Sequence, residues 1–295
     1  MELNLDNFNA HFASEQDCID FLTKQRWPNG VCCLHCGSVK VYSIKRRQSY
    51  QCGDCSRQFS VRTGMPFAHT KISLRKWLIG VYMVTSRKRS ISSTQLAFDL
   101  HVSQKCAWLM SHKIRTVMHI EEPIGGDAEI VALDEVYIYG WRRSTANRKG
   151  KFAIIGVIEK SNDKSRVRVL ATKAADATVA LPFIRAAVKQ GTIIHSDGSR
   201  IYKRLHLEYA HATVNHGKFQ WADGIVTSNQ IEGFWSHLKR GVKGTHFWVT
   251  YKHGQKYADE IAYKHNTRDL SNGERFVAWL SGCWGRTMPY RVLTG

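Results

Sequence analysis

The spacing of apolar residues changes rhythm partway along the chain, and that change divides it. Residues 12–26 carry a rough helical stripe of Phe12, Ile19, Phe21 and Leu22, which Pro28-Asn29-Gly30 ends. Residues 73–119 again read as helices, with Trp77, Val81 and Val84 on one face. Between them, residues 31–62 are basic, rich in Cys and too poor in apolar sequence for a core of their own. Residues 121–128 have the composition of a linker. Beyond it, runs rich in Val, Ile and Tyr at 129–140, 152–159 and 166–172 predict three strands. A helix at 177–189 follows, then a strand at 192–196, a short helix at 199–206, a strand at 208–214, and helices at 228–243 and 254–268. The expected domains are 1–65 (N-terminal helix and cysteine-rich segment), 66–122 (helical) and 123–295 (α/β).

Charge narrows the class. The net charge is +19, a self-repulsion that points to selection by an anionic partner, nucleic acid first and an anionic membrane surface second. The excess is not a tail. Residues 1–122 hold 17 Lys and Arg against 9 Asp and Glu, and the remainder holds 26 against 15. The longest apolar runs, such as Phe152 to Ile158, are too short to span a bilayer, and the polar, acidic start does not resemble a signal peptide. A cytoplasmic, nucleoid-associated protein is therefore expected, with no membrane partner. Reduced cysteines in that setting favour metal over disulfides.

Cys33-Leu34-His35-Cys36 and Cys52-Gly53-Asp54-Cys55 are two Cys-x-x-Cys pairs separated by 15 residues. Each tight pair offers two thiolates, and two pairs complete a tetrahedral Zn²⁺ site. Gly37 and Gly53 fall where tight turns need backbone freedom. The adjacent Cys32 lacks the x-x spacing, His35 reads as a surface residue, and Cys18, Cys106 and Cys283 read as free buried thiols. Lys45, Arg46, Arg47, Arg57 and Arg62 surround the segment, which suits phosphate contact.

Residues 90–97 open with capping residues and enter a helix, Leu100-His101-Val102-Ser103 reads as a turn, and a second helix follows at about 104–118. Ala107, Met110, Ile114 and Val117 fall on its inner side; Gln104, Lys105, Lys113 and Arg115 on its outer side. A short helix, a turn and a second helix with a polar leading end can enter a major groove. A helical hairpin serving packing alone gives the same pattern.

Three acids stand out in the basic second part. Asp134 lies in the first strand, Asp197 ends the fourth, and Glu232 lies on the helix that begins near Asn229. On that helix Ile231, Phe234, Trp235 and Leu238 form the inner stripe, while Asn229, Glu232, Ser236 and Lys239 share a neighbouring face. Three strands, helix, strand, helix, strand and helix suit an RNase H-like mixed sheet, in which the first and fourth strands are neighbours. Asp134, Asp197 and Glu232 would then present hard oxygens to Mg²⁺ or Mn²⁺. Glu135 competes, but in a regular strand it faces away from Asp134.

At this point the chain resembles the bacterial insertion-sequence transposases of the ISXO type. The resemblance is carried by Arg26 to Gly30, Cys33 to Cys55, Asp134-Glu135 with Tyr137-Ile138, His195 to Gly198, Val214-Asn215-His216 and Asn229 to Gly244. It implies a zinc ribbon, a DNA-binding helical region and a DDE domain that moves an element through its terminal inverted repeats. It also implies catalytic roles for Asp134, Asp197 and the Asn229/Glu232 turn, with Lys239 as basic partner. Members of the group carry either Glu or Asn at the third position, and both residues are present here. Leu34 and Val136 depart from the usual Pro and Thr or Ser without removing a ligand. Expected DNA contacts are Arg46, Arg47, Gln104, Lys105, Lys239 and Arg240, with a homo-oligomer as the active form. A non-catalytic or domesticated zinc-ribbon DNA-binding protein is the alternative, and a Holliday-junction resolvase of the same sheet type leaves the ribbon unexplained.

Overall fold

The computed structural model describes residues 5–138, 151–160, 165–214, 222–223, 226–227, 229–247 and 249–294. Contacts divide the chain into two units. The first comprises residues 1–87, 93–117 and 270–295; the second comprises 88–92 and 118–269.

In the first unit, α1 (Leu5–His11) precedes α2 (Glu15–Arg26), which Ser14 and Asp17 start with a capping box. A small antiparallel sheet follows, of β1 (Val41–Ile44), β2 (Ser49–Cys52) and β3 (Gln58–Phe59). Next come α3 (Leu74–Ser86), α4 (Ser93–Leu100) and α5 (Gln104–Val117). Glu15 ties these parts together. Its carboxylate accepts the Leu74 and Arg75 backbone N–H groups at 2.7 and 3.1 Å and pairs with Arg62 at 2.5 Å, placing an anion on the N-terminus of α3. Arg62 is thus engaged within the unit.

The last segment, with α9 (Asn272–Ser281) and α10 (Tyr290–Thr294), belongs to this first unit rather than to the α/β part. Phe276 joins Phe8, Phe12, Phe21 and Tyr82 in one aromatic cluster. The Trp279 indole donates to the Ile114 carbonyl at 3.0 Å, and Thr116 meets Met288. That packing explains one correction. Ala107, Met110, Ile114 and Val117 are buried as expected, but Arg115, expected on the outer face, is also buried, because the C-terminal segment lies against that half of α5.

The second unit is built on a five-stranded sheet in the order β6-β5-β4-β7-β8, where β4 is Ile130–Ile138, β5 Phe152–Lys160, β6 Val167–Thr172, β7 Ile193–Asp197 and β8 Ala210–Val214. The first three strands are antiparallel neighbours; β7 pairs parallel to β4, and β8 parallel to β7. This is an RNase H-like mixed sheet. Helix α6 (Ala177–Ala187) connects β6 to β7, a 3-10 segment (Arg200–Leu207) connects β7 to β8, and α7 (Asn229–Gly241) and α8 (Tyr251–Asn266) follow a short hairpin of β9 (Ala222–Asp223) and β10 (Val226–Thr227). Strand alternation separates two cores. Ala132, Val136 and Ile138 face Ile231, Trp235 and Leu238, whereas Val131 and Leu133 face Ile184, Tyr202 and Leu205.

The segment read as a linker is structured. Ile124 is buried and bridges Val188, and the Gly125 N–H donates to Glu159 at 3.0 Å. Gly125 has φ +81°, and a Cβ there would lie 2.6 Å from the Thr192 hydroxyl, so only glycine fits. Glu159 also accepts from Arg166 Nε and Nη2, each at 2.9 Å.

Within this unit the His119 ring lies 3.1 Å from the Asp259 carboxylate. The bond to Asp259 raises the His119 pKa above its usual 6.5, against burial, which lowers it. Its stabilisation is therefore complete below about pH 6.5 and is lost as pH rises through the raised value. Urea midpoints of the wild type should fall between pH 5.5 and 8.5 by more than those of His119→Gln; parallel curves would remove the pair from the pH dependence.

Candidate metal centre and acidic site

The four ribbon cysteines converge. Among the described residues, Cys33, Cys36, Cys52 and Cys55 form a group whose sulfurs all lie within 4.8 Å of one another. The Cys33–Cys55 and Cys36–Cys52 separations are 3.6 and 3.5 Å, close to the roughly 3.8 Å edge of a tetrahedron with Zn–S bonds of about 2.3 Å. Two matching knuckles create it. The Cys33 N–H donates to the Ser38 carbonyl and the Cys52 N–H to that of Arg57; Gly37 and Ser56 donate back to the Cys33 and Cys52 carbonyls. The turn residues are Gly37 (φ +76°) and Ser56 (φ +59°). The second knuckle therefore takes its left-handed residue at Ser56 and not at Gly53, which was expected to serve. Backbone N–H groups of Cys55 and then Asp54 hold the Cys52 thiol down at about 6, against burial, which raises it. A thiolate-favouring knuckle fits Zn²⁺. Cys32 is outside the tetrad and His35 is exposed, as expected; Cys18 and Cys283 are buried, Cys106 only half-buried. Arg46 and Arg47 are exposed on the turn joining β1 to β2.

In the α/β unit, the paired part of β4 and β7 stops at Ala132↔His195. Two residues further along each strand stand Asp134 and Asp197, just past the point where β4 and β7 stop pairing; Asp134 stays paired with Gly156 of β5 and Asp197, the last residue of β7, with Val214 of β8. Burial lifts the Asp134 pKa to about 6, with Glu135 and Asp197 adding to it. Burial likewise raises Glu135, and Asp197 adds to that. Asp134 accepts the Glu135 backbone N–H at one oxygen and the Trp235 indole N–H at the other, both at 2.8 Å. Glu135 faces the opposite side of the sheet, where the buried Tyr202 hydroxyl donates to it at 2.6 Å. Two half-buried carboxylates on neighbouring strands offer hard oxygen donors whose mutual repulsion a divalent cation would offset.

Glu232 is exposed on the first turn of α7, and Lys239 and Arg240 are exposed on its last turn. The ligand atoms of Asp134, Asp197 and Glu232 are not gathered as those of the four cysteines are. Asn229 begins α7, and its side chain, like Asn215 and His216, lies outside the described residues. Gln104 and Lys105 are exposed at the leading end of α5, where Gln104 donates to Ser93 at 2.8 Å. Sequence reading missed Trp235 and Tyr202 as partners of the acids. The indole's place on the inner stripe of α7 was its only signal, and Tyr202 gave none.

A four-cysteine ribbon in the first unit and, in the second, an RNase H-like mixed sheet with two acids on neighbouring strands suit a transposase class of protein. The comparisons agree. The chain matches the transposase zinc-ribbon domain over residues 13–58 and the ISXO2-like transposase domain over residues 126–266, and so carries both domains of the insertion-sequence transposase family of that type. It is similar to a Halobacterium salinarum protein, "Uncharacterized protein in transposable element ISH50", at 28% identity over 78% of this chain and 83% of that protein. It is also similar to an "Uncharacterized transposase-like protein" of Haemophilus influenzae, at 26% identity over 37% of this chain and 88% of that protein. Among the described residues no helix is long and apolar enough to cross a membrane.

Proposed function

We propose that the chain binds the terminal inverted repeats of an insertion sequence and catalyses divalent-metal-dependent DNA strand cleavage and strand transfer. The observation that carries this reading is the pair Asp134 and Asp197 on the neighbouring parallel strands β4 and β7, each two residues beyond the last β4–β7 pair. Asp134 and Asp197 would hold Mg²⁺ or Mn²⁺, with Glu232 or Asn229 from α7 as the third ligand. Bound there, the cations stabilise charge on the attacking and leaving oxygens of a phosphoryl displacement. In cleavage, a water oxygen bonds phosphorus as the bond to the 3′-oxygen breaks, and a proton ends on that oxygen. The freed 3′-hydroxyl then bonds a target phosphorus as the target's own 3′-oxygen leaves. Lys239 and Arg240 hold the flanking phosphates. No Tyr or Ser nucleophile takes part.

Binding falls to the basic N-terminal parts, 1–65 and 66–122, and chemistry to the sheet-bearing part of 123–295, residues 123–269. The ribbon turn with Arg46 and Arg47 contacts phosphates, and Gln104 and Lys105 lead α5 into a groove. Two element ends must be held together, so the active form is a homo-oligomer, acting on the nucleoid in the cytoplasm. The deciding assay incubates the full chain and Mg²⁺ with DNA that flanks its gene. Nicked and joined products support the proposal; end binding without products in Mg²⁺ or Mn²⁺ assigns the non-catalytic DNA-binding alternative.

Arg46→Ala/Arg47→Ala tests the ribbon's part. Each lost phosphate contact lowers the slope of log K against log salt by about 0.9. The double variant should lose about 2 from the slope on every sequence, with cleavage at saturating protein preserved. An unchanged slope would take the ribbon out of the footprint.

A further inference from the structure

Trp235 has a bond that its packing does not require. Its ring is buried on the inner stripe of α7 with Ile231, Phe234 and Leu238. Buried indoles ordinarily satisfy their N–H on whatever acceptor is near, as Trp279 does on a backbone carbonyl. Trp235 instead donates to Asp134 Oδ2 at 2.8 Å. Space for this is made on the neighbouring strand. Gly156 stands directly across from Asp134 in the β4–β5 register. A Cβ at Gly156 would lie 2.5 and 2.8 Å from two carbons of the Trp235 ring, so the indole occupies the place of the side chain this strand lacks.

We infer that Trp235 is a positioning residue for the metal-binding carboxylate Asp134, seated by Gly156, and that it sets the affinity of the acidic site for its divalent cation. This rests on the proposed metal-dependent function. Three features of the geometry argue for it. The Trp235 and Glu135 N–H groups hold one Asp134 oxygen each, so donors from a helix and a strand fix both side-chain torsions while each oxygen keeps a lone pair for a ligand. Indole nitrogen is a donor only and does not titrate, so it orients the carboxylate without competing for cation or proton. Trp235 also follows Glu232 by three residues on α7, so the same bond fixes the register of the helix that carries the third carboxylate against the strand that carries the first.

Outer-shell partners of metal ligands change affinity or activity about 10- to 100-fold when removed. The test uses the full chain without DNA and measures free Mn²⁺ by electron paramagnetic resonance. Trp235→Phe keeps the ring stack and loses the N–H. It should bind Mn²⁺ about 10- to 100-fold more weakly and shift the half-saturating Mg²⁺ for cleavage by the same factor, with the rate at saturating Mg²⁺ largely recovered. Gly156→Ala, which displaces the ring but leaves Trp235 and Asp134 in place, should produce the same shift. Leu238→Ala, a comparable loss of core on the same helix, should lower Tm without moving Mn²⁺ affinity. Wild-type Mn²⁺ affinity in folded Trp235→Phe or Gly156→Ala, or an equal shift in Leu238→Ala, overturns the positioning role alone. A wild-type chain that binds no Mn²⁺ and cleaves no DNA overturns the metal-dependent function together with it.

Discussion

Asp134→Ala and Asp197→Ala are each expected to lose DNA cleavage by about a thousandfold or more while binding terminal DNA within about twofold of the wild type. The size follows from what the carboxylates do. Charge stabilisation of a phosphoryl transition state by bound cations is worth several kcal/mol, and about 1.4 kcal/mol corresponds to a decade in rate. Binding is spared because the expected DNA contacts, Arg46, Arg47, Gln104 and Lys105, lie on other elements, and a metal ligand acts mainly in the transition state. Gel shifts and strand-transfer assays on the same preparations separate the two effects. The substitutions also give a thermal readout. A cation that binds the folded chain raises Tm by mass action, so Mg²⁺ should raise the wild-type Tm and leave both variants unmoved. Glu232→Ala should match them if Glu232 is the third ligand. Full activity there, with loss in Asn229→Ala, transfers that role to Asn229. Strand transfer that survives both Asp134→Ala and Asp197→Ala would sink the mechanism.

The two Asp residues were legible because each follows a short strand-forming apolar run. Ile130 to Leu133 lead straight into Asp134 and Ile193-Ile194 precede Asp197, so an acid after each run is conspicuous in a basic domain. The mixed sheet followed from element order, and α7 from its inner stripe. What escaped was long-range. Residues 270–295 carry a visible start signal, a capping box of Ser271 and Glu274, yet nothing local says that α9 returns to pack with Phe8, Phe12 and Tyr82. For the same reason Arg115 looked exposed: its cover comes from a segment more than 150 residues later. The bond from Trp235 to Asp134 spans 101 residues, and the Tyr202 bond to Glu135 spans 67. Both depend on a register that only the folded sheet sets. At the third position the sequence offers two candidates, and Asp134, Asp197 and Glu232 do not form a gathered ligand group among the described residues. Three carboxylates repel one another without an offsetting cation, so such an arrangement is what the chain's own charges favour.

Removing zinc is expected to unfold the ribbon, residues 31–59, and to take most of the DNA affinity with it. Little else holds that segment. Its three strands are two to four residues long, and its apolar contacts are chiefly Trp27, Tyr50 and Phe59. A structural Zn²⁺ contributes an apparent 10–16 kcal/mol at neutral pH, roughly the whole stability of a domain of this kind. The wild type should therefore contain one Zn²⁺ per chain by elemental analysis. Chelation should open the Lys45-Arg46-Arg47 turn to trypsin, and zinc should close it again. Cys36→Ser and Cys52→Ser should each lose the metal and show that cleavage without chelator. Cys32→Ser is the contrasting case: it adjoins Cys33 but stands outside the tetrad, so its zinc content and protease resistance should equal the wild type's. The α/β unit has two cores of its own, so its amide protection should survive chelation. Zinc retained by Cys36→Ser and lost by Cys32→Ser would reassign the ligands; zinc retained by every single Cys→Ser variant would leave the tetrad without a structural metal.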